Sequence, residues 1–394
     1  MINRKTLFAL TVLLCFAFCL TGAAAEEEEE SSFFDHKDTI VVTAGPTATP
    51  TPFYIYSTPE PATTTANPSG NMFIVLTATG DLTIGTNYKA YRNLDASMFG
   101  KELKRQGGNI SFYLRNIRKV LSEDDLTIVN FEGTLADSVI VPAAKRNNEF
   151  LFLAPTAYAQ TLADNSIEAA TMENNHVMDF GEDGYASTMA ALQAAGIAVA
   201  NSRNLAIYET KGIKIGMLAY QTFNGGYDEI YKTLQTDIDN ARTLGCDIVT
   251  VSYHWGKEKD YHPNENQQKL GHATIDAGAD LVIGHHSHRI NPIEEYNGKY
   301  IVYSLGNFSF SGNNKPSDML TYLFQIRFKY RRGEMYGTDF RIIPCRISSK
   351  TDYNDFAVTP LTETRYIDTI LSTLEKEGQF ISNPVSSYPL EWEK

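Results

Sequence analysis

The chain has 394 residues, of which 43% are hydrophobic, and a formal net charge of −13. This apolar content can build one large core or two small ones. The acidic balance argues against a nucleic-acid partner, because negative charge is repelled by phosphates. Outside the first 25 residues only two cysteines remain, Cys246 and Cys345. In an oxidising compartment they can form one disulfide, and two buried thiols are the alternative.

The first 25 residues have the pattern of a secretory signal peptide. Arg4 and Lys5 precede an apolar run over residues 7–20, and three alanines ending at Ala25 form a small-residue cleavage site. The run also approaches the roughly 20 residues that span a bilayer, so an uncleaved membrane anchor is the alternative. We therefore expect an exported protein, extracellular or at the cell surface, and tethered to the membrane if the segment is not cleaved.

Residues 26–70 differ in composition from everything that follows. From Thr43 to Gly70 the chain is rich in Thr, Pro, Ala and Ser, and such a segment cannot bury enough apolar surface to offset the entropy of ordering. The sequence predicts a disordered tether over residues 26–70, one folded domain over 71–347, and a C-terminal extension over 348–394 with a helix from Thr364 to Gly378.

Within residues 71–347, short apolar runs alternate with helical patterns, which predicts an α/β domain. The predicted strands cover residues 73–79, 126–129, 167–171, 213–219, 247–253, 280–283 and 300–304. The predicted helices cover residues 111–121, 185–195, 237–244 and 265–277. The region 322–347 is typical of a β-meander with a turn at Arg332 and Gly333.

Six of these strands end in carboxylate, amide or imidazole side chains, namely Asp81, Glu132, Asn174 with Asn175 and His176, His254, His285 with His286 and His288, and Asn307. Each alone has an ordinary interpretation, such as a turn acid, a loop amide or a hydrogen-bonded structural histidine. The ends of parallel strands meet at one rim of a sheet, however, and this mixture of oxygen and nitrogen donors suits a divalent metal ion. His286 and His288 can both face one ion only if the backbone kinks.

Several stretches carry a family resemblance: Thr79-Gly80-Asp81, Asn130 to Gly133, Glu173 to Gly181, His254 to Glu258, Gly278 to His288 and Tyr303 to Phe308. Together they span about residues 72 to 312. They resemble the CapA family of capsular poly-γ-glutamate synthesis proteins, within the calcineurin-like metallophosphoesterase superfamily. The resemblance implies a four-layer α-β-β-α sandwich of the metallophosphoesterase type with two mixed β-sheets. It also implies a phosphoesterase-type hydrolase in cell-envelope or capsule biosynthesis.

Carried over position by position, the resemblance implies one or two divalent ions (Mn, Fe or Zn) that activate a water for attack. It assigns Asp81 as the first metal carboxylate and Glu132 as the bridging acid. The other implied ligands are Asn175, His254, His286 and His288, and the general acid is His176. His285 is given a structural role. Glu258, Asn307 and Asn174 are additional candidates for ligation or support of the ligands. Lys145 and Arg146 are candidates for binding an anionic substrate, or else solvated loop charges.

The sequence departs from the wider superfamily at its first motif, Asp-x-His, because Thr83 stands where the histidine is expected. The superfamily's bridging aspartate is also replaced by Glu132. One metal position thereby loses a nitrogen ligand, and Glu258 is a candidate replacement. Two functions stay open: a hydrolase acting on an anionic small molecule or polymer, and a non-hydrolytic, metal-containing surface accessory that binds or assembles an anionic polymer. Either could work with membrane-bound capsule synthesis machinery.

Overall fold

The computed structural model describes residues 54–57, 70–87, 94–137, 150–223 and 225–393. The predicted signal peptide, Lys145, Arg146 and most of the predicted tether lie outside these residues. The structure differs from the predicted tether at Tyr54–Ser57, which forms a strand. Its Tyr-Ile-Tyr sequence has a high β propensity. The average composition of the segment, which is dominated by Thr and Pro, does not show this short run.

The described strands are numbered in chain order. They are β1 (Tyr54–Ser57), β2 (Asn71–Thr83), β3 (Thr86–Asn87), β4 (Leu126–Phe131), β5 (Thr134–Leu135), β6 (Phe152–Ala154), β7 (Ala169–Thr171), β8 (Ala198–Ala200), β9 (Ala206–Thr210), β10 (Ile213–Gln221), β11 (Ile248–His254), β12 (Leu281–His285), β13 (Ile293–Tyr296), β14 (Lys299–Val302), β15 (Asn307–Phe310), β16 (Leu320–Arg331), β17 (Glu334–Arg346) and β18 (Thr359–Pro360).

These strands form two large mixed sheets and one small one. The first sheet has the order β1-β9-β10-β11-β12-β14-β13, and its four strands β10, β11, β12 and β14 run parallel. The second has the order β18-β17-β16-β2-β4-β7-β8, with β2, β4, β7 and β8 parallel and β15 paired to the end of β2. The small sheet has the order β3-β6-β5. The predicted mixed α/β fold is thus confirmed.

The helices are α1 (Met98–Arg105), α2 (Arg118–Leu121), α3 (Gln160–Ala163), α4 (Gly181–Ala194), α5 (Gly226–Thr243), α6 (Glu265–Asp276) and α7 (Thr364–Glu377). The predicted helices at 185–195 and 265–277 are confirmed as α4 and α6, and the latter begins with a capping box between Asn264 and Gln267. The helix predicted at 237–244 is the second half of α5.

One predicted helix, over residues 111–121, is wrong. The structure has a 3-10 helix at Ile110–Tyr113, a turn, and then the single-turn helix α2. Phe112, Tyr113 and Leu114 are consecutive and all buried. A single α-helix cannot bury three adjacent side chains on one face. Packing against the core therefore overrides the local periodicity.

Three hydrophobic clusters position the sheets and helices. The first cluster contains residues of both large sheets, such as Leu76 and Ile128 from the second and Ile283 from the first. A second cluster joins the other face of the second sheet to helices, for example Val129 to Leu192. The third includes Val249 of the first sheet and Leu234 of α5. Cys246 and Cys345 are unpaired and buried in the third and second clusters.

The C-terminal region packs into these clusters and reaches both large sheets. The predicted terminal helix is confirmed as α7, and its Ile370 and Leu374 belong to the first cluster. Beyond it, the Val385 amide donates to the Ile293 carbonyl in β13, 3.1 Å away, and the Pro389 carbonyl accepts from Ile342 in β17 at 2.8 Å. The Trp392 ring then lies 4.7 and 4.8 Å from the guanidinium carbons of Arg327 and Arg341.

Among the residues that the structure describes, no helix combines the length and apolar character needed to cross a bilayer.

Candidate metal centre

The end of β2 carries Asp81, and a close backbone approach fixes its place. The Asp81 amide donates to the carbonyl oxygen of Gly306 at 3.0 Å. A Cβ atom on the preceding Gly80 would lie 2.1 Å from that same oxygen, so only glycine allows this contact. This close approach places residues 306–307 beside Asp81, the first candidate metal ligand.

Asp81 is buried between two imidazoles and an amide. Its Oδ2 atom lies 2.9 Å from His288 Nδ1, its Oδ1 lies 3.3 Å from His285 Nδ1, and Oδ1 also accepts from Asn130 Nδ2 at 2.7 Å. Burial alone would raise the pKa of Asp81, but His285 and His288 outweigh it and hold the pKa well below its usual value. Asp81 is therefore an anionic ligand candidate.

Glu132 follows β4, and its buried carboxylate lacks a hydrogen-bond partner among the described residues. It is 1% exposed, and neither carboxylate oxygen makes a hydrogen bond with any residue the structure describes. Its Oε1 atom lies 3.7, 3.8 and 4.0 Å from Nε2 of His176, His254 and His288. Burial, with repulsion from Asp81 and Glu258, raises its pKa to about 8 despite the attraction of His288. Such a buried, unsatisfied carboxylate is costly for the fold.

His254, His286 and Asn175 converge on one point beside Glu132. The Nε2 atom of His254 lies 2.9 Å from Asn175 Oδ1 and 2.9 Å from His286 Nδ1. Burial lowers the pKa of His286 to about 4, and it lowers the pKa of His254 well below its usual value. Both rings are consequently neutral near pH 7, which is the form that binds metal ions.

The backbone kinks through the histidine segment, as the sequence requires if both His286 and His288 are to face one site. His286 has φ 90° and His288 has φ 53°, so both lie in the left-handed region, where a non-glycine residue costs about 1–3 kcal/mol. The His288 carbonyl accepts from Arg289 Nη1 at 2.7 Å, which helps to hold this conformation. Burial would lower the pKa of His288, but Glu132 and Asp81 raise it to about 9.

His176 lies at the open side of the site with a carboxylate behind it. Its Nδ1 atom is 2.7 Å from Asp179 Oδ2, and its Nε2 points toward Glu132. The side chain of Asn174 accepts from the His176 amide at 3.0 Å and donates to the Phe131 carbonyl at 2.8 Å. This arrangement orients the ring while leaving Nε2 turned to the metal candidates.

The structure brings together all the ligand candidates derived from the resemblance: Asp81, Glu132, Asn175, His254, His286 and His288. Of the further candidates, Asn307 places its Oδ1 acceptor 3.0 Å from His288 Nδ1, and Asn174 supports His176. Glu258 is exposed and acts on the site through its charge.

Sequence reasoning missed three residues of the site. Asn130 donates to Asp81 and lies 3.2 Å from His254 Nδ1, Asp179 holds His176, and the Phe223 ring packs 4.6 Å from that of His286. Asn130 and Asp179 stand inside the matching motifs, so spacing from Glu132 and His176 could have found them. Phe223 has no comparable signal, because its contact depends on how the chain folds after β10.

These residues fit divalent metal ions. Ligand atoms of Asp81, Glu132 and His288 lie within 4.8 Å of one another, and we call these residues the first ligand group. Asn175, His254 and His286 form the second ligand group, and Glu132 lies between the two. Mixed carboxylate, amide and imidazole donors suit Mn, Fe or Zn. The unpartnered oxygens of Glu132 are what such an ion would satisfy.

Segments of this chain are similar to known bacterial proteins. A 65-residue segment is 57% identical to the PGA biosynthesis protein CapA of Bacillus subtilis, over 16% of this chain and 17% of that protein. An 83-residue segment is 40% identical to the capsule biosynthesis protein CapA of Bacillus anthracis, over 21% and 20%. A 60-residue segment is 47% identical to a probable polyglutamine synthesis accessory protein of Mycobacterium tuberculosis, over 15% and 16%. The chain thus matches a fifth or less of the length of each relative.

The family model described as bacterial capsule synthesis protein PGA_cap matches residues 75–311. That range contains both ligand groups, His176 and Asp179, and it covers more than half of the 394 residues. The chain therefore belongs to the PGA_cap family of bacterial capsule synthesis proteins, the CapA-like proteins of poly-glutamate biosynthesis.

Proposed function

We propose that this chain is an exported, metal-dependent hydrolase of the phosphoesterase type that acts in capsular poly-γ-glutamate or cell-envelope biosynthesis. The observation that carries the proposal is Glu132, whose buried carboxylate faces three imidazoles at 3.7–4.0 Å and is otherwise unpartnered among the described residues. An enzyme that bridges two ions needs such a group, whereas a fold that only needs stability would pair it.

The proposal gives each ligand group one ion. Asp81, Glu132 and His288 would hold the first, and Glu132, Asn175, His254 and His286 the second. When bound, the ions supply Lewis-acid polarisation of the scissile group and lower the pKa of a water that attacks it. Asn130 donates to Asp81 and lies 3.2 Å from His254 Nδ1, so one amide supports a ligand of each group.

His176 would act as the general acid. Asp179 fixes the ring through the 2.7 Å contact to Nδ1 and balances its positive charge when the ring is protonated. Nε2 would then carry the proton toward a leaving oxygen near the ions. The mechanism predicts that Asp179→Asn lowers kcat about tenfold or more without changing the metal content.

The remaining parts of the proposal concern architecture and location. Three hydrophobic clusters support a four-layer α-β-β-α sandwich as the architecture, because the first joins residues of both large sheets and the other two each join helices to one sheet. The N-terminal leader would export the protein to the cell surface. The names of the relatives support a role in PGA or capsule biosynthesis. From that role we propose an anionic glutamate polymer, or a precursor of it, as the substrate class and membrane-bound capsule machinery as the partner.

The test is an assay of the full chain, stripped with EDTA and reloaded with Mn²⁺ or Zn²⁺, on generic phosphomonoesters and phosphodiesters. We expect metal-dependent turnover that is lost in an Asp81→Asn, His254→Ala double variant. A His262→Ala variant is the matched control, because His262 contacts Glu377 and Phe380 instead of the ligand groups. Turnover of the wild type no higher than that of the double variant would overturn the hydrolase.

The second candidate is a non-hydrolytic surface accessory that uses the ions to bind an anionic polymer. Thr83 favours it, because the superfamily's first-motif histidine is missing and the buried Thr83 hydroxyl has no hydrogen-bond partner in the described part of the chain. Glutamate carboxylates could then complete the coordination. The accessory role fails if deletion of the gene leaves surface polymer unchanged and the metal-loaded protein binds no poly-γ-glutamate.

A further inference from the structure

We propose that His285 is a ligand at the first ligand group and supplies the nitrogen that Thr83 does not. This inference rests on the proposed metal centre and assigns a residue that the family resemblance leaves in a structural role. The imidazole missing at Thr83 in β2 would then be replaced by the imidazole of His285 in β12.

Strand register places His285 on the correct face of the sheet. His285 is paired with His254 across the parallel strands β11 and β12, and laterally paired residues in a sheet project to the same side. Along β12, Leu281 and Ile283 enter the first hydrophobic cluster, so the alternation of side chains turns His285 the same way. His285 therefore points between the sheets, where the end of β2 presents Asp81.

The environment of His285 does not explain the residue as part of the core. The side chain is 2% exposed, and neither Nδ1 nor Nε2 makes a hydrogen bond with any residue the structure describes. Leaving a buried polar group unsatisfied costs about 1–3 kcal/mol. By contrast, His272, outside the site, lies 2.9 Å from Glu294. Apart from the 3.3 Å approach of Nδ1 to Asp81 Oδ1, no hydrogen bond from the described residues offsets this cost, and a bound ion would do so.

The distance to Asp81 fits shared ligation. Nδ1 of His285 lies 3.3 Å from Asp81 Oδ1, and Nδ1 of His288 lies 2.9 Å from Asp81 Oδ2. Two donors that each lie about 2.0–2.2 Å from one ion are separated by about 2.8–3.6 Å in octahedral or tetrahedral coordination. Asp81 thus has an imidazole nitrogen beside each of its carboxylate oxygens, at separations close to those of donors around an ion.

The competing explanation is that His285 only orients Asp81 as a hydrogen-bond donor. The variant His285→Asn separates the two roles, because its amide can still donate to Asp81 but offers no imidazole nitrogen. His285→Ala removes both. The matched control is again His262→Ala. Thr83→His added to His285→Ala restores an imidazole at the superfamily's own position.

The experiment titrates the metal-free full chain with Co²⁺, follows visible absorption, and measures bound metal by elemental analysis. Ligation predicts that both His285 variants lose one equivalent of cobalt or bind it at least about tenfold more weakly. It also predicts an altered absorption band, an unchanged metal-free Tm, and recovery in the Thr83→His, His285→Ala double variant.

Wild-type cobalt content, affinity and absorption in His285→Asn would overturn the inference and leave the proposed metal centre standing. A wild type that binds no cobalt at all would instead overturn the proposed function itself. If His285→Ala does not fold, the decision rests on His285→Asn, whose metal-free Tm shows whether the fold is intact.

Discussion

Buried carboxylates lie at both ends of the parallel strands, and the two ends surround them differently. At the start of β12, Asp280 accepts from Arg242 at 2.6 Å, from Lys299 at 2.5 Å and from the Val249 amide at 2.9 Å. At the end of β4, Glu132 is equally buried, yet no described residue donates to it. The first carboxylate is a completed part of the fold, and the second is incomplete without an added group.

This contrast teaches which end of the sheet is built for a ligand. Burying a charge is tolerated only when neighbouring groups compensate it. Polar residues by themselves do not mark the site, since Asp124 and Glu168 are half-buried near the starts of the strands, where both interact with Thr127. The informative property is the lack of a hydrogen bond to any described residue, which the side chains of Glu132 and His285 share.

The strongest test of the comparison is activity after the removal of each carboxylate. Glu132→Gln should lower metal-dependent kcat/KM by at least about 1000-fold, because the bridging charge is lost while the shape is kept. Asp280→Asn should leave kcat/KM within about threefold of the wild type at a temperature where both are folded. Steady-state kinetics on the metal-loaded proteins measures this, and equal losses in the two variants would contradict the contrast.

The free energy of unfolding should be lowered more by Asp280→Asn than by Glu132→Gln. Asp280→Asn leaves Arg242 and Lys299 without their shared acceptor and should reduce the free energy of unfolding by about 3 kcal/mol. Because both cations are partly exposed, water softens the loss. Urea denaturation with and without metal should give the same decrement. A decrement that appears only with metal would mean that Asp280 belongs to the site.

Metal should stabilise the wild type and not Glu132→Gln. A ligand at 100 times its Kd adds about 2.7 kcal/mol to the free energy of unfolding. We expect EDTA to remove this increment from the wild type and to leave the Tm of Glu132→Gln nearly unchanged. Differential scanning calorimetry measures both, with Asp280→Asn as the variant that should retain the increment.

The pH dependence of the stability of the metal-free protein should also differ between the two carboxylates. The folded-state pKa of Glu132 is raised to about 8 from a usual 4.5, so folded protein keeps a proton that unfolded protein has lost. The free energy of unfolding should fall as pH rises between these values, by at most about 1.4 kcal/mol per pH unit. Glu132→Gln should show a shallower fall. Equal slopes from pH 5 to 8 would contradict the buried, unpartnered state of Glu132.

Most of the site could be predicted from the sequence, because a short motif after an apolar run is recognisable even when the predicted end of the strand is wrong by a few residues. Asp81 was expected after a strand and lies within β2, yet its neighbours Gly80 and Asn307 still bring it to the rim. Helix boundaries were harder. The second half of α5 was predicted, but its start after Gly225, which has φ 84°, looks like a loop in sequence.

The residues that sequence reasoning could not place depend on contacts between distant strands. His285 looks redundant beside His286 and His288, and only the register of β11 with β12 shows that it faces Asp81. Likewise, the meander expected over residues 322–347 is confirmed as the antiparallel pair β16 and β17, but the pairing of β16 with β2 in the second sheet was not predicted. Partner choice between strands follows from burial of the whole sheet, which a local pattern does not encode.

The tail that ends in Trp392 has a practical consequence for cutting the protein into fragments. The family match stops at residue 311, and a fragment designed on that match would discard β16, which covers the flank of β2, together with α7 and the tail. The side chains of Leu76 and Ile74, which are fully buried in the whole chain, would then face water beside the strand that carries Asp81. Fragments made for metal analysis should therefore extend through Trp392, with any purification tag separated from it by a flexible spacer.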